Sequence, residues 1–313
     1  MITLTQLGYL VALERYGNFR QAAKACYVTQ PTLSMQIKKL EDDLGVVIFD
    51  RSIQPIKPTP IGQKILDQSR VVISQTAVID ELISEARDEI SGELRLAVIP
   101  TLSPYLLPLF LAKFQSSYPK VQLIIEESRT SDIIEALKRN KLDVGLLATP
   151  LGEDSLVEHP LFNEPFYVYA AKQSALAKLE TVSDQDLKNE NLLLLAEGHC
   201  LREQTLRVCR QSRIKNPKVG DLQFASGSLE TLCRLVETGH GYTVIPDLAR
   251  RWESRRSGSV IPFSTPIPTR EVSLVVHHSF VRSGILSKLI QSIKSCIPSE
   301  LLKNGLSQRT IGI

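Results

Sequence analysis

The sequence predicts an all-α N-terminal region of the winged helix-turn-helix layout, then a long helix, then an α/β region of two lobes. Three observations support this fold class. Apolar residues repeat at helical spacing through the first 44 residues, and a second helical pattern runs from Thr59 to about Ile90. After Gly92, short apolar runs alternate with helical segments. With 313 residues, the chain can form two or three well-packed domains.

Composition excludes several classes of protein. Five irregularly spaced cysteines do not form a secreted disulfide framework, and without a CxxC pair or a cysteine/histidine ladder we expect no metal and no cofactor. The N-terminus lacks the features of a signal peptide, and no apolar run approaches the roughly 20 residues that cross a bilayer. We therefore expect a cytoplasmic protein with no membrane partner. The formal net charge of +3 argues neither for nor against nucleic-acid binding.

The first 58 residues predict three helices and a short β-ribbon. The helices are expected at residues 4–16, 19–26 and 29–44, and the ribbon at residues 46–49 and 54–57. Asn18 and Thr29 suit N-caps, and Pro31 suits the first turn of the third helix. The buried stripe of that helix is predicted to contain Leu33, Ile37, Leu40 and Leu44. Two short helices joined by a tight turn predict a helix-turn-helix, and the ribbon predicts a wing.

The predicted recognition helix suggests a DNA-binding face. Residues 1–58 carry seven Lys and Arg against five Asp and Glu, a net charge of +2 that is modest for a DNA binder. The sequence leaves open which side chains contact bases and which contact phosphates. The candidates are Thr29, Gln30, Thr32, Ser34, Gln36, Lys38, Arg51 and Lys57.

Residues 59–91 predict one long linker and dimerisation helix. Its apolar seam alternates spacings of four and three, as in a coiled coil. The seam consists of Val72, Thr76, Ile79, Ile83, Ala86 and Ile90. The alternative is a long helix packed on its own domain, which is weaker because the preceding domain is complete without it.

Residues 92–298 predict alternating strands and helices. Strands are expected at residues 93–99, 121–126, 143–148, 167–171, 192–195, 222–225, 242–245 and 271–276. Helices are expected at residues 106–118, 132–139, 228–237 and 282–297 and after Cys200. Alternation predicts parallel sheets covered by helices, in two lobes joined by crossing strands with a cleft between them. The usual enzyme signatures are missing, so we expect a protein that is not an enzyme.

Cys200 has the setting of a reactive cysteine. The predicted strand at residues 192–195 is broken by Gly198, and helical composition begins directly after Cys200. Free N–H groups and the positive end of the helix dipole favour a thiolate, the nucleophilic form, at a helix start. Arg202 adds a cation within reach, although Glu203 opposes it.

Cys209 lies nine residues after Cys200. In a continuous helix the two would be roughly 13 Å apart along the axis and on nearly opposite faces. A disulfide needs Cα atoms about 4.4 to 6.8 Å apart, so the pair can bond only if the helix unwinds. Such a bond would be a regulatory switch. The alternative, that both are ordinary small hydrophobic residues, stays open on the local pattern.

The N-terminal motif resembles the LysR-type transcriptional regulators. It is Asn18-Phe19-x-x-Ala22-Ala23, Val28-Thr29-Gln30-Pro31-Thr32-Leu33-Ser34-x-x-Ile37-x-x-Leu40-Glu41-x-x-Leu44-Gly45 and Phe49-x-Arg51. The resemblance implies an operator in double-stranded DNA, a dimer through residues 59–91 that assembles into a tetramer, and contact with RNA polymerase. It also implies that the two lobes resemble periplasmic binding proteins. The chain then divides into residues 1–58, 59–91, 92–298 and a tail, 299–313.

Motifs in the second half resemble the peroxide-sensing members of the same family. They are Ile99-Pro100-Thr101-x-x-Pro104-Tyr105-Leu106-Leu107-Pro108, Glu197-Gly198-His199-Cys200-Leu201-Arg202 with Cys209, and Ser228-Leu229-Glu230-Thr231-Leu232. The resemblance extends to about Cys296. It implies that hydrogen peroxide oxidises Cys200 and that Cys209 resolves the product, controlling oxidative-stress genes. It also implies a peroxide pocket of Thr101, Thr130, His199, Glu203 and Arg270.

Two alternatives remain at this point. One is a LysR-type regulator that binds a small carboxylate, and the other is a thiol peroxidase or reductase. Glu203 occupies a position where the family commonly has aspartate, and residues 299–313 have no counterpart. We expect Cys26, Cys233 and Cys296 to be structural or incidental, because none is predicted at a helix start.

Overall fold

The computed structural model describes residues 2–86, 90–188, 190–209, 218–219, 222–223, 226–252, 257–302 and 308–312. The chain divides into two compact units. The first contains residues 1–90, 139–141 and 279–284, and the second contains residues 91–138, 142–278 and 285–313.

Three helices form the core of the first unit, as predicted. They are α1 (Leu4–Tyr16), α2 (Phe19–Ala25) and α3 (Gln30–Leu44). The side chains of Asn18 and Thr29 accept hydrogen bonds from backbone N–H groups in the first turns of α2 and α3. Gly17 and Gly45 end α1 and α3 in the left-handed conformation that glycine adopts without strain. Leu33, Ile37 and Leu40 are buried in this core.

Two predictions for this unit need correction. Leu44 is 36% exposed, so it does not belong to the buried stripe of α3. The ribbon consists of two-residue strands, β1 (Phe49–Asp50) and β2 (Lys57–Pro58), which is shorter than predicted. The reason is that the N–H groups of Ile48 and Phe49 donate to the Glu41 carboxylate at 2.8 and 3.1 Å, not to a strand partner.

The long helix α4 (Pro60–Ala86) begins where Thr59-Pro60 predicts. Residues 87–89 lie outside the described residues, so the predicted end near residue 90 is not observed. Three members of the apolar seam, Val72, Ile79 and Ile83, are exposed by 38, 60 and 46%. The helix thus presents an apolar stripe to solvent.

The second unit contains an eight-stranded sheet with helices packed against it. Its first lobe contains β3 (Gly92–Val98), α5 (Ser103–Ser117), β4 (Val121–Glu127), α6 (Thr130–Lys138), β5 (Val144–Thr149) and α10 (Ser283–Cys296). The second lobe contains α7 (Cys200–Val208), β7 (Lys218–Val219), β8 (Leu222–Gln223), α8 (Leu229–Glu237), β9 (Tyr242–Pro246), α9 (Asp247–Trp252) and β10 (Ser259–Pro262).

Two long strands cross between the lobes, namely β6 (Leu156–Ala170) and β11 (Ile267–His277). They pair with each other, while β6 also pairs with β9 and β10 and β11 also pairs with β5. All of these pairings are antiparallel. The prediction of parallel sheets is therefore correct for β3, β4 and β5 and wrong for the pairings of β6 and of β11 with β5, because the crossing strands run back past β5.

Residues 192–195 are buried but do not form the predicted strand. Leu192 bridges to Tyr242, whereas Leu195 bridges to Ser226. Because the segment contacts two different neighbours in turn, it forms no continuous ladder. Of the predicted strand at residues 222–225, β8 covers the first two residues, and the other two lie outside the described residues.

The C-terminal tail contributes β12 (Gln308–Thr310) to the second unit. It pairs in parallel with residues 267–269 of β11. The N–H group of Ile311 then donates to the carbonyl of Thr269 at 2.7 Å, so the tail extends the sheet beyond the strand itself.

Candidate functional site

Cys200 is the first residue of α7, as predicted. His199 is the N-cap, but its side chain accepts no hydrogen bond from the backbone N–H groups of the first turn. Cys200 is only 5% exposed. The sulfur therefore lies inside the protein, at the end of the helix where unpaired N–H groups favour negative charge.

Arg270 is the cation at this site, and it is held by the crossing strands. Arg270 on β11 and Glu164 on β6 are register partners and are both fully buried. Two guanidinium nitrogens, Nε and Nη2, each lie 2.8 Å from Glu164 Oε2. The same guanidinium donates to the hydroxyl of Thr101 at 3.0 Å and to its carbonyl at 3.3 Å. Glu164 also accepts from the N–H of Leu248 at 2.7 Å.

The pKa of Cys200 results from opposing effects. Burial raises the pKa above its ordinary value, which is the larger effect. Arg270, the Thr130 side chain and the N–H groups of Cys200 and Leu201 all lower it. The polar groups around the sulfur therefore favour the thiolate, but burial outweighs them, and the pKa of Cys200 lies above its ordinary value. This differs from the expectation that the helix start alone would favour the thiolate.

Thr130 and His199, the two other buried residues of the predicted pocket, have different neighbours. Thr130 lies in the first turn of α6, and its buried hydroxyl has no hydrogen bond of standard geometry. The hydroxyl is nevertheless close enough to Cys200 to lower the pKa of that thiol. Burial and then Arg129 lower the pKa of His199, whereas Glu127 raises it. The imidazole is thus neutral at neutral pH and can donate or accept a hydrogen bond.

Two predicted neighbours of Cys200 behave differently from expectation. Arg202 is buried and donates to the carbonyl of Leu195 at 2.7 Å, so its role is to anchor α7, and Arg270 is the cation that acts on the thiol. Glu203 is exposed, and this corrects its assignment to the pocket, whose other members are buried. It follows Cys200 by three residues but faces solvent.

Cys209 occupies the other end of α7 as its C-cap. It is 2% exposed, and burial raises its pKa to about 12. A hydrogen bond with the Tyr242 side chain lowers this pKa, and the charge of Asp184 raises it. All five cysteines are free thiols. Because Cys209 follows Cys200 by nine helical steps, the helical rise separates them by about 13 Å.

The helix-turn-helix presents most of the predicted DNA-contacting residues to solvent. Thr29, Gln30, Lys38, Arg51 and Lys57 are exposed, and Thr32, Ser34 and Gln36 are half-buried. The hydroxyls of Thr29 and Thr32 lie 2.8 Å apart, and Gln36 accepts from Gln6 at 3.5 Å. Arg51 donates to Glu41 at 2.6 Å and stacks on Phe19, so it also fixes the wing.

Sequence reasoning missed Glu164 at the Cys200 site and did not predict two exposed apolar side chains in the helix-turn-helix. Glu164 carries no local signal, since its role depends on a partner 106 residues away. Tyr27, in the turn between α2 and α3, is 97% exposed, and Met35 on α3 is 62% exposed. An aromatic residue in the turn was visible in the sequence, but nothing there indicates its exposure.

Among the residues that the structure describes, no group of His, Cys, Asp and Glu is arranged to hold a metal ion.

Comparison with protein families matches both halves of the chain. Residues 4–63 match the bacterial regulatory helix-turn-helix protein, lysR family, and residues 87–296 match the LysR substrate binding domain. The chain therefore belongs to the LysR family of bacterial helix-turn-helix regulators, as the N-terminal motif predicts.

Individual relatives confirm the finer resemblance to its OxyR members. The DNA-binding transcriptional dual regulator OxyR of Escherichia coli K12 is 38% identical over 94% of this chain and 95% of its own length. The hydrogen peroxide-inducible genes activator of Dickeya chrysanthemi is 36% identical over the same shares. A full-length OxyR variant from Pseudomonas aeruginosa matches with a TM-score of 0.83 and 34% identity, covering 97% of this chain and 100% of that chain.

A cysteine mutant of Corynebacterium glutamicum OxyR, solved with hydrogen peroxide bound, matches with a TM-score of 0.61 and 28% identity. It covers 94% of this chain and 92% of that chain. The two-lobed fold predicted for the second unit is thus shared with solved OxyR structures.

Proposed function

We propose that the protein is a DNA-binding transcriptional regulator, not an enzyme, that senses hydrogen peroxide through a reversible Cys200–Cys209 disulfide and controls oxidative-stress genes. The observation that carries this proposal is the setting of Cys200. A buried thiol at a helix start faces a buried arginine, on a helix that ends in a second buried cysteine. Relatives named hydrogen peroxide-inducible genes activators support the choice of signal.

In the first step, the thiolate of Cys200 attacks one oxygen of peroxide. The O–O bond breaks, the sulfur becomes a sulfenic acid, and the second oxygen takes up a proton and leaves as water. The sulfur loses two electrons, which reduce the peroxide. Arg270 stabilises the thiolate, while the hydroxyls of Thr101 and Thr130 and the neutral imidazole of His199 hold peroxide and donate a proton to the leaving oxygen.

In the second step, Cys209 attacks the sulfenic sulfur of Cys200. The S–O bond breaks, the disulfide forms, and the sulfenic oxygen leaves as water together with the thiol proton. Both cysteines are buried at opposite ends of a nine-residue helix, so α7 must unwind before they meet. A dithiol reductant would restore both thiols.

The remaining assignments concern DNA, assembly and location. We infer that α3 and the wing dock on an operator through Thr29, Gln30, Thr32, Ser34, Gln36, Lys38, Arg51 and Lys57. The exposed apolar stripe of α4 supports a dimer, and two dimers would form a tetramer that contacts RNA polymerase. An operator-binding protein acts where the DNA is, so we place it in the cytoplasm. The divisions proposed above, at residues 58, 91 and 298, separate these roles.

Peptide mapping combined with operator footprinting tests the proposed function. The reduced protein and the protein treated with equimolar peroxide are compared. We expect loss of two thiols, a linked peptide containing Cys200 and Cys209, and a footprint that changes with redox state. Gln30→Ala should weaken binding in both states without affecting the disulfide. A disulfide between Cys200 and Cys233, or identical footprints in both states, would contradict the proposal.

None of the helices in the described residues combines the length and the apolar character that a membrane-spanning segment needs.

A further inference from the structure

The C-terminal tail packs against the helix that carries the two cysteines. After β12, Ile311 is 6% exposed, and its backbone N–H bonds to β11. Residues 311 and 312 then pass beside α7. We call residues 308–312 the C-terminal strap.

Two side chains of α7 bind the strap. Gln204 Nε2 donates to the carbonyl of Ile311 at 3.2 Å, and a guanidinium nitrogen of Arg207 donates to the carbonyl of Gly312 at 3.0 Å. Residues three apart in a helix lie on the same face, so both bonds leave α7 on one side. Gln204 is fully buried and Arg207 is exposed. The bonds therefore tie both the interior and the surface of this helix to the tail.

A cleft of about 90 Å³ opens to solvent beside the strap, and its lining includes Val208 of α7, Arg309 of the strap and Asp184. Water can therefore reach the boundary between α7 and the strap at this point. The hydrogen bonds of Gln204 and Arg207 hold the strap against α7 next to the cleft.

We propose that Gln204 and Arg207 are positioning residues that, by tying α7 to the C-terminal strap, set the rate at which the helix unwinds to form the disulfide. This inference rests on the proposed function, because it concerns the second of its two steps. Arg270, Thr130 and backbone N–H groups are what lower the pKa of Cys200, and the strap is not among them. The strap therefore slows the resolving step and leaves the oxidation of Cys200 unchanged.

Two measurements on the full-length protein test the proposal. The first is hydrogen exchange of α7 amides in the reduced protein, which needs no peroxide. The second separates the rate of sulfenic acid formation from the rate of disulfide formation by rapid mixing with hydrogen peroxide and a sulfenic-acid probe. Arg207→Met should accelerate both α7 exchange and disulfide formation about fivefold, the effect of one lost hydrogen bond. The rate of sulfenic acid formation should not change.

Matched variants separate the strap from general effects on the helix. Arg207→Lys keeps a donor and should restore part of the wild-type rate. Arg309→Met removes a cation from the strap itself and should leave α7 exchange unchanged. A chain that ends at residue 302 lacks the strap, so its α7 exchange and its disulfide formation should both be faster than those of Arg207→Met. Adding Arg207→Met to the shortened chain should accelerate neither process further.

Unchanged α7 exchange in Arg207→Met would overturn the proposal, even if the shortened chain failed to fold. Equal acceleration of both chemical steps would also overturn it, because the strap would then act on Cys200. If wild-type protein formed no disulfide at all, the proposed function would fail, while the exchange measurement would still decide whether the strap restrains α7.

Discussion

The two ends of α7 hold buried cysteines in opposite electrostatic surroundings. Cys200 is 5% exposed and Cys209 is 2% exposed, so burial alone does not distinguish them. At Cys200, an arginine, a hydroxyl and helix N–H groups oppose the effect of burial on the pKa. At Cys209, the nearby charge is Asp184, which acts in the same direction as burial and helps raise the pKa to about 12.

This difference teaches that a cysteine's role is set by the groups that face its sulfur. The helix N-terminus and the cation lie at Cys200 and not at Cys209, which is why we propose Cys200 as the cysteine that attacks peroxide. Under the proposed function, Cys209 acts only after it leaves its native place. The same helix then separates the thiol proposed to react with peroxide from the thiol proposed to resolve the product.

The largest expected effect comes from removing either cysteine. Cys200→Ser should abolish the response to peroxide, whereas Cys209→Ser should still oxidise at Cys200 and stop at sulfenic acid or a higher oxide. Mass spectrometry after equimolar peroxide, with operator footprinting, checks both outcomes. Cys233→Ser and Cys296→Ser serve as controls and should respond normally. Oxidation of Cys209 in the Cys200→Ser variant at the wild-type rate would reverse the assigned roles.

The second largest expected effect is the dependence of the Cys200 oxidation rate on pH. Because burial raises the pKa of Cys200, the thiol is mostly protonated at neutral pH, and its thiolate fraction rises with pH. The oxidation rate constant should therefore increase about tenfold per unit from about pH 6 to 9. Rapid mixing of the Cys209→Ser variant with peroxide measures this step alone. A rate that is already constant above pH 6 would mean that the pKa is depressed.

Two different changes to the buried Arg270–Glu164 pair should shift the rate of Cys200 oxidation in opposite directions. Arg270→Met alone would leave Glu164 buried and unpaired, at a cost of about 3–5 kcal/mol in stability. The double variant Arg270→Met/Glu164→Gln avoids that charge and should oxidise about tenfold more slowly, as expected for a Cys200 pKa raised by about one unit.

Glu164→Gln by itself keeps Arg270 and removes the carboxylate that neutralises it. The pKa of Cys200 should fall, so oxidation at neutral pH should become faster. Peroxide rates at fixed pH, together with thermal unfolding as a check on folding, distinguish these outcomes. Slower oxidation in both variants would show that the pair acts through packing and not through charge.

The sequence predicted the features that depend on neighbouring residues. Asn18, Thr29 and Gly45 mark helix ends through local backbone bonds, and Cys200 was placed at a helix start by the composition around it. The Arg270–Glu164 pair could not be predicted in the same way. It depends on the register between β6 and β11, and Pro160 and Pro165 in β6 remove backbone donors and so argue against a strand.

The smallest expected effect distinguishes the Cys200 end of α7 from the rest of the lobe. Thr101→Val removes the hydroxyl that accepts from Arg270 at 3.0 Å, while the carbonyl of Thr101 can still accept. The guanidinium is then held less firmly, and oxidation of Cys200 should slow about three- to fivefold, the effect of one hydrogen bond.

Thr243→Val is the matched control, because Thr101 and Thr243 are both 2% exposed. The Thr243 hydroxyl donates to the carbonyl of Leu193 at 2.9 Å, beside Tyr242 at the Cys209 end. Its loss should leave the rate of Cys200 oxidation unchanged, and equal slowing in both variants would attribute the effect to lost buried hydrogen bonds in general.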